Sequence, residues 1–226
     1  MKKSNLFITV LGLIILFGMI ATNLVLKKEY QKIDLSDPFK NYSTIITKPY
    51  SVLNISGSNG YPIEIIHKET DTIKVLRSRL KHFKSSYRND TLFIQFTGSN
   101  VSMSQRHNSN TPPGIIIEKS KLSSIHLTDV HNRLSGYSNQ DLKLSLKGNS
   151  YQEIRNCMLN TLSIEMKNTS QIEFVKATTV DSLNLKMMNT SVARLENIQF
   201  KTVNPILKDS VAFVLSKEAF KNLIKK

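Results

Sequence analysis

The sequence predicts an all-β protein, a right-handed parallel β-helix with coils of about 20 residues, preceded by an N-terminal transmembrane helix. Three observations support this fold class. An uncharged apolar segment opens the chain, a strand pattern recurs at a fixed interval in the C-terminal half, and each recurrence ends in a cluster of small polar residues. A short repeat that consists of strands without helices is typical of a solenoid.

The N-terminal segment, residues 6–26, contains no charged side chain. As a helix it would span roughly 30 Å, which is the thickness of a bilayer's hydrocarbon core. The alternative is a cleaved signal peptide whose positive end is Lys2 and Lys3. The apolar run continues to Leu26 without a small-residue cleavage pattern, which favours an uncleaved anchor in the lipid bilayer.

The orientation of this span does not follow from the flanking charges, because lysines stand on both sides of it. Long polar domains are exported largely regardless of such charges. We therefore expect residues 1–5 to be a short cytoplasmic tail and the remainder of the chain to be exported.

The exported part divides by composition. Residues 27–48 read as a polar linker, and residues 49–226 as the β-helix ectodomain. Within it, residues 49–113 predict irregular strands and a loop, and residues 114–216 predict regular coils. Residues 217–226, KEAFKNLIKK, predict a short amphipathic helix that caps the open end of the solenoid, where an uncovered strand edge would favour aggregation.

Four segments carry the repeat: LKLSLKGNS from Leu142, LSIEMKNTS from Leu162, LNLKMMNTS from Leu183 and VNPILKDSV from Val203. Apolar and polar residues alternate within each, as in a half-buried strand. Stacked about 4.8 Å apart, the coils would superpose their apolar residues inside and their Asn, Ser and Thr residues at the turns. A leucine-rich repeat has a similar period, but its L-x-x-L-x-L-x-x-N frame and helical return segment are missing.

The outward positions of these strands predict a binding surface rather than a catalytic one. Glu165 is their single acidic residue, whereas glycoside hydrolysis needs two carboxylates in one groove. No catalytic residue is therefore predicted. Lysines recur on the same surface, and we predict a candidate stripe for an anionic ligand, formed by Lys147, Lys167, Lys208, Lys143 and Lys186. The sequence by itself favours a simpler interpretation, in which these lysines only extend into solvent and discourage pairing between sheet edges.

The net charge of +14 favours an acidic partner, such as an anionic polysaccharide or lipid headgroups. Nucleic acid is not expected, because no recognition motif is present. His126, Asp129 and His131 form H-x-x-D-x-H, but strand geometry does not require the two histidines to share a face, so neither a metal nor a cofactor is predicted. Cys157, the single cysteine, excludes an internal disulfide and is expected in the core or a turn.

The strands VLNIS, IEIIH, TIKVL and TLFIQF, followed by GIIIEKSKLSSIHLTDV and the coils, resemble the family of auto-transporter adhesins with a head GIN domain. The resemblance extends over roughly Tyr50 to Ser216. It implies a β-helix exposed in the bacterial envelope and brings no catalytic residues. The chain differs from the family in its few glycines and in having an apolar span in place of a lipid-attachment cysteine.

Together these features predict a single-pass protein of the bacterial inner membrane with its ectodomain in the periplasm or at the cell exterior. Its expected function is adhesin-like binding or scaffolding, with a glycan, another envelope protein or further copies of itself as partner. Two alternatives remain: a carbohydrate-active β-helix enzyme that acts on anionic polysaccharide, and a structural accessory subunit of a membrane complex.

Overall fold

Two compact units, Met1–Lys40 and Asn41–Lys226, make up the chain in a computed structural model. The structure describes residues 3–32, 38–57, 62–97, 112–176 and 178–216.

The first unit contains helix α1, Lys3–Gln31, which continues beyond Leu26, the predicted end of the membrane span. The stretch Phe7–Gln31 is long and apolar enough to cross a membrane, and a signal sequence has the same properties. The predicted apolar helix is therefore confirmed.

In the part of the second unit that the structure describes, the chain forms strands and one short 3-10 helix, Arg77–His82. The strands, in chain order, are β1 Tyr42–Ile46, β2 Val52–Ser56, β3 Ile63–Ile66, β4 Thr72–Leu76, β5 Phe83–Arg88, β6 Thr91–Phe96, β7 Ile115–Glu118, β8 Ser124–Thr128, β9 His131–Ser135, β10 Leu142–Lys147, β11 Tyr151–Arg155, β12 Met158–Met166, β13 Gln171–Phe174, β14 Thr178–Met187, β15 Val192–Leu195, β16 Ile198–Leu207 and β17 Ala212–Leu215.

These strands form two sheets. Sheet 1 has the order β1-β4-β7-β3-β9-β11-β13-β15-β17, and sheet 2 has the order β16-β14-β12-β10-β8-β2-β6-β5. From β8 onward, each successive pair of strands places one strand in each sheet, parallel to the preceding pair. The result is a run of consecutive solenoid turns, which confirms the predicted parallel β-solenoid.

The register of these turns is the one that the repeat predicts. Leu142 pairs with Leu162, Leu162 with Leu183, and Leu183 with Val203. Their side chains are buried in one continuous apolar core between the sheets. Cys157 is also fully buried. Pro205 takes the inward position next to Leu185, but it is exposed because β16 is the last strand of sheet 2.

The N-terminal region differs from its prediction as irregular strands. Strands β2 and β3 form a regular coil, since β2 pairs in parallel with β8 and β3 with β9. On its other side this coil pairs with β6 and β7. The chain thus passes from β7 to β8 across an intervening coil, so these two strands do not lie in adjacent layers, although both fall within the predicted run of regular coils from residue 114.

Antiparallel pairing ends the solenoid on this side, because β5 pairs with β6 and β4 with both β7 and β1. Strand β1 falls within residues 27–48, which the sequence predicts as a linker. The predicted cap, residues 217–226, lies outside the described residues, as does most of the predicted loop before Pro113.

From β8 onward, a left-handed residue forms the turn that follows each strand of sheet 2. Asp129, Gly148, Asn168, Asn189 and Asp209 occupy equivalent corners and have φ between 57° and 64°. Asn and Asp tolerate this region better than other side chains, and Gly tolerates it best. Asn189 Nδ2 donates to Asn168 Oδ1 at 2.8 Å, so the predicted ladder of turn side chains is present. A side chain in place of Gly148 would displace the Asp129 carboxylate, because a Cβ there would lie 2.2 Å from Asp129 Oδ1.

A polar pair lies within the otherwise apolar interior. Asn132 and Gln152 are adjacent inward residues of β9 and β11, and both are fully buried. Asn132 Nδ2 donates to Gln152 Oε1 at 2.7 Å, and Gln152 Nε2 donates to the carbonyl oxygen of Glu153 at 2.6 Å. Because an unpaired buried amide would cost about 1–3 kcal/mol, this ladder favours one register of the two coils.

Glu118 links β4, β7 and the segment after β3. Its side chain is 5% exposed and accepts hydrogen bonds from four side chains, at 2.7 to 3.1 Å: Lys68, Thr70, Thr72 and Lys74. Burial raises the pKa of Glu118, but these hydrogen bonds outweigh it and lower the pKa to about 2. Glu118 therefore stays ionised at a pH where an unfolded chain would bind a proton.

We predict that Glu118→Gln lowers the free energy of unfolding at pH 7 by about 3 kcal/mol. Because the pKa is depressed in the folded state, this stabilisation is present above about pH 4.5 and is lost as the pH falls towards 2. Urea unfolding of the full chain, followed by circular dichroism, should thus show the two proteins converging over that range. The exposed Glu69→Gln is the control. A difference that did not change with pH would contradict the assignment.

Candidate binding surface

The outer face of sheet 2 presents the outward side chains of β8, β10, β12, β14 and β16. Inward apolar residues alternate with these outward residues along each strand. In-register pairing arranges the outward residues in rows that run from coil to coil. Their backbones are fixed by hydrogen bonds on both sides, except at the terminal strand β16, so the rows have constant spacing.

The predicted stripe of lysines is a row of this surface. Lys147, Lys167 and Lys208 occupy the same position in their coils, and Met188 takes that position between the last two. The backbone nitrogen of Lys167 donates to Leu146 O, and that of Lys208 to Met187 O, each at 3.0 Å. The outward residues form three rows across the face. Of the two further predicted lysines, Lys143 lies in the outer row opposite that of Lys147, and Lys186 lies in the row between them.

Glu165 separates the five lysines into two groups. Its Oε1 is 3.2 Å from Lys167 Nζ and 3.1 Å from Lys186 Nζ. The hydrogen bonds from Lys186 and Lys167 lower the pKa of Glu165, and burial opposes them weakly. These two lysines are therefore partly neutralised by the carboxylate between them.

The other three lysines, Lys143, Lys147 and Lys208, are exposed and have no ion-pair partner among the residues that the structure describes. Lys143 and Lys147 are about 14 Å apart along one strand, and three strand spacings, again about 14 Å, separate Lys147 from Lys208. They surround the neutralised centre of the face.

A shallow groove of about 490 Å³ crosses this face. Amide and hydroxyl groups connect its strands, since Asn204 Nδ2 donates to Asn184 Oδ1 at 3.0 Å and Asn184 Nδ2 donates to Ser163 Oγ at 3.4 Å. Its lining is Ser124, His126, Lys143, Leu144, Ser145, Ser163, Ile164, Glu165, Asn184, Leu185, Lys186, Asn204 and Ile206. Among the described residues, the groove thus offers many hydrogen-bonding groups and a single carboxylate.

His126 lies at one end of this groove. Its Nε2 is 3.0 Å from Ser124 Oγ, on the same face of the same strand. Burial, and then the positive charge of Lys147, lower the pKa of His126 below its ordinary value. His126 is therefore neutral at pH 7 and can exchange hydrogen bonds in either direction.

The histidines of the H-x-x-D-x-H motif are not brought together. His126 faces outward from sheet 2, Asp129 forms a left-handed turn, and His131 belongs to sheet 1. In the described ranges, no group of three or more His, Cys, Asp or Glu side chains is placed to hold a metal ion.

A buried ionic cluster, which no sequence pattern indicated, lies on the outer side of sheet 1. Glu153, only 4% exposed, pairs with Arg155 and lies 3.5 Å from Arg133 Nε and 3.6 Å from His131 Nε2. Burial raises the pKa of Glu153, but the adjacent His131 imidazole and the charges of Arg155 and Arg133 lower it overall. In β9 and β11 polar residues point both inward and outward, so no alternating pattern could reveal the cluster.

No protein-family model and no curated protein sequence matches this chain. Its fold is similar to that of a "putative adhesin" from Bacteroides fragilis, with a TM-score of 0.54 and 10% identity over 77% of this chain and 93% of that one. A "putative adhesin" from Parabacteroides merdae has a TM-score of 0.46 and 9% identity, over 78% and 95% of the two chains.

A third similar structure is a "putative lipid binding protein" from Parabacteroides distasonis, with a TM-score of 0.46, 13% identity and coverage of 79% and 98%. Of the three, the Bacteroides fragilis structure has a TM-score above 0.5. At such low identity the likeness establishes the fold alone. The chain is therefore a β-solenoid preceded in sequence by an apolar helix, and its fold is similar to that of a Bacteroides fragilis protein described as a putative adhesin.

We predict that Lys147→Ser raises the pKa of His126 but leaves it below its ordinary value, because burial is the larger cause of the depression. A titration of the imidazole C2 proton by NMR measures this pKa directly. Lys121→Ser, which removes an exposed lysine outside the strands, is the matched control. An unchanged His126 pKa in Lys147→Ser would mean that Lys147 does not act on this part of the groove.

Proposed function

We propose that this protein is an envelope-anchored, adhesin-like module that binds an anionic glycan on the outer face of sheet 2. The main observation behind this proposal is a set of exposed lysines, Lys143, Lys147 and Lys208, around a groove of amide and hydroxyl groups. These lysines lack ion-pair partners in the described part of the chain. Amides and hydroxyls suit the hydroxyl groups of a sugar, and the lysines suit its acidic substituents.

The spacing of the surface favours a polymer over a small molecule. Positive charges on stacked strands repel one another, and an extended polyanion relieves that repulsion. The sheet holds its lysines in place, so several weak contacts act together and the affinity grows with the length of the ligand. The overall charge of +14 adds a long-range attraction for the same class of ligand.

We prefer binding to catalysis because the groove has too few acidic groups for glycoside hydrolysis. Glycoside hydrolases commonly use two carboxylates, one as acid and one as base or nucleophile. Among the described residues, the lining of this groove contains Glu165 as its one carboxylate, and two lysines already engage it. The arrangement supports recognition of a polyanion without chemistry.

The membrane location is part of the proposal. We infer that α1 remains attached as a single inner-membrane span, with the solenoid in the periplasm or at the cell exterior, and that the chain belongs to the adhesin family with a head GIN domain. The length and composition of α1 support the anchor, and the similar solenoid of the Bacteroides fragilis protein supports the family.

Mass spectrometry of the chain from bacterial membranes tests the anchor. We expect the full-length mass in the carbonate-resistant membrane fraction, and cleavage of the solenoid by protease added to spheroplasts. A chain that begins after Leu26 and is recovered in the soluble periplasmic fraction would show that α1 is a signal sequence.

Chromatography of the detergent-solubilised full chain on immobilised dextran sulfate tests the ligand class, with neutral dextran as the blank. We predict that Lys147→Glu with Lys208→Glu weakens binding about tenfold or more and lowers the salt concentration of elution. Glu165→Gln should have the opposite effect, because it releases Lys167 and Lys186.

The matched control is Lys121→Glu with Lys176→Glu, which changes the net charge equally at exposed positions outside the strands. Equal losses in the two double variants would assign the binding to net charge and refute the role of this face. A native chain that passes through the matrix at low salt would exclude sulfated polysaccharides from the proposed ligand class.

A further inference from the structure

A second groove, of about 850 Å³, lies at the other end of the outer face of sheet 2, over β2, β5 and β6. The repeat does not extend to these strands, so the period of the sequence does not point to them. The groove differs from the first in having an aromatic side chain on its floor, Phe93.

Phe93 points outward because its neighbours Leu92 and Ile94 point into the core, where both are buried. It is itself partly exposed, and its cross-strand neighbours are polar: Asn54 on β2 and Ser86 on β5. An apolar ring that the sheet holds open to water among amide and hydroxyl groups is a suitable platform for stacking.

Two cations stand on either side of this platform. Lys84 and Arg88 lie on β5, each about 7 Å along the strand from Ser86. They share the outward face with Phe93, because Lys84 pairs with Gln95 and Arg88 with Thr91. Both are exposed, and neither has an ion-pair partner in the part of the chain that the structure describes.

We propose that this groove is a subsite for a uronic acid residue, that is, a sugar ring that carries a carboxylate. The apolar C–H face of the ring stacks on Phe93, and the hydroxyl groups bind Asn54 and Ser86. The carboxylate pairs with Arg88, whose guanidinium can hold it with two hydrogen bonds. It pairs with Lys84 instead when the polysaccharide lies in the opposite direction along the groove.

This inference rests on the proposed function and deepens it, because both grooves belong to one face. Three strand spacings, about 14 Å, separate β6 from β10, which carries Lys143 and Lys147. The outward residues of the two strands between them, β2 and β8, form three rows. In two of these rows every residue has a hydroxyl or amide side chain or is His126. An extended acidic polysaccharide can therefore contact Phe93 at one end of the face and the lysines at the other.

The absence of tryptophan from the chain provides a direct test. Phe93→Trp keeps an aromatic platform and introduces a single indole at the subsite. We expect its emission to change saturably when polygalacturonate oligomers are added to the detergent-solubilised full chain. Met158→Trp places the indole at an exposed position outside this groove and should not respond.

Affinity measurements with the same probe complete the test. Phe93→Ala should bind polygalacturonate roughly tenfold more weakly than the native chain, which corresponds to the loss of a partly buried aromatic contact. Lys84→Ala with Arg88→Ala should weaken binding and reduce its dependence on salt. Fully methyl-esterified polygalacturonate, whose backbone is the same but uncharged, should bind at least tenfold more weakly than the acid form.

Unchanged affinity in Phe93→Ala, with affinity lost in Lys147→Glu with Lys208→Glu, would overturn the subsite and leave the proposed function standing. Equal binding of the esterified polymer would overturn the acidic ligand. If the native chain bound neither polygalacturonate nor dextran sulfate, the proposed function would fail together with the subsite.

Discussion

Backbone hydrogen bonding between successive coils, in the register that the sequence repeat sets, is the interaction on which the rest of the structure depends. It superposes Leu142, Leu162 and Leu183 in the core and repeats the left-handed corners that include Asn168 and Asn189. A slip of one residue would turn the apolar side of each strand towards solvent and the polar side inward. Core, corners and outer face are therefore specified together.

The same register determines what the outer face can do. It brings side chains that are one repeat apart in sequence to within one strand spacing, and so turns scattered lysines into a row. It also places Glu165 beside Lys186 in the middle row, where the pair forms a neutral centre. The cations without ion-pair partners among the described residues are left at the margins of the groove, while its middle offers neutral hydrogen-bonding groups.

The sequence predicts the regular coils well, because their contacts repeat at a fixed interval and each strand alternates cleanly. Positions such as Lys147 and Lys167 can be assigned from the period alone. The coil of β2 and β3 could not be placed in this way, because its partners β6 to β9 are separated from it irregularly along the chain. Which lysines pair with Glu165 depends on side-chain conformation, and the period of the sequence does not predict side-chain conformation. The Phe93 groove lies beyond the repeat, where alternation indicates a strand but not its neighbours.

The position of the β2–β3 coil has a kinetic consequence. From β8 to β17 each turn adds to the turn made just before it, so loop closure is local and order can propagate along the chain. The β2–β3 coil, by contrast, lies between β6–β7 on one side and β8–β9 on the other, so it cannot complete its hydrogen bonds until the chain has been made as far as β9. Closing those longer loops costs more conformational entropy before any stabilising contact forms. We therefore expect the coils from β8 to β17 to form by fast local closure, and the β2–β3 coil to be completed by slower closure of longer loops.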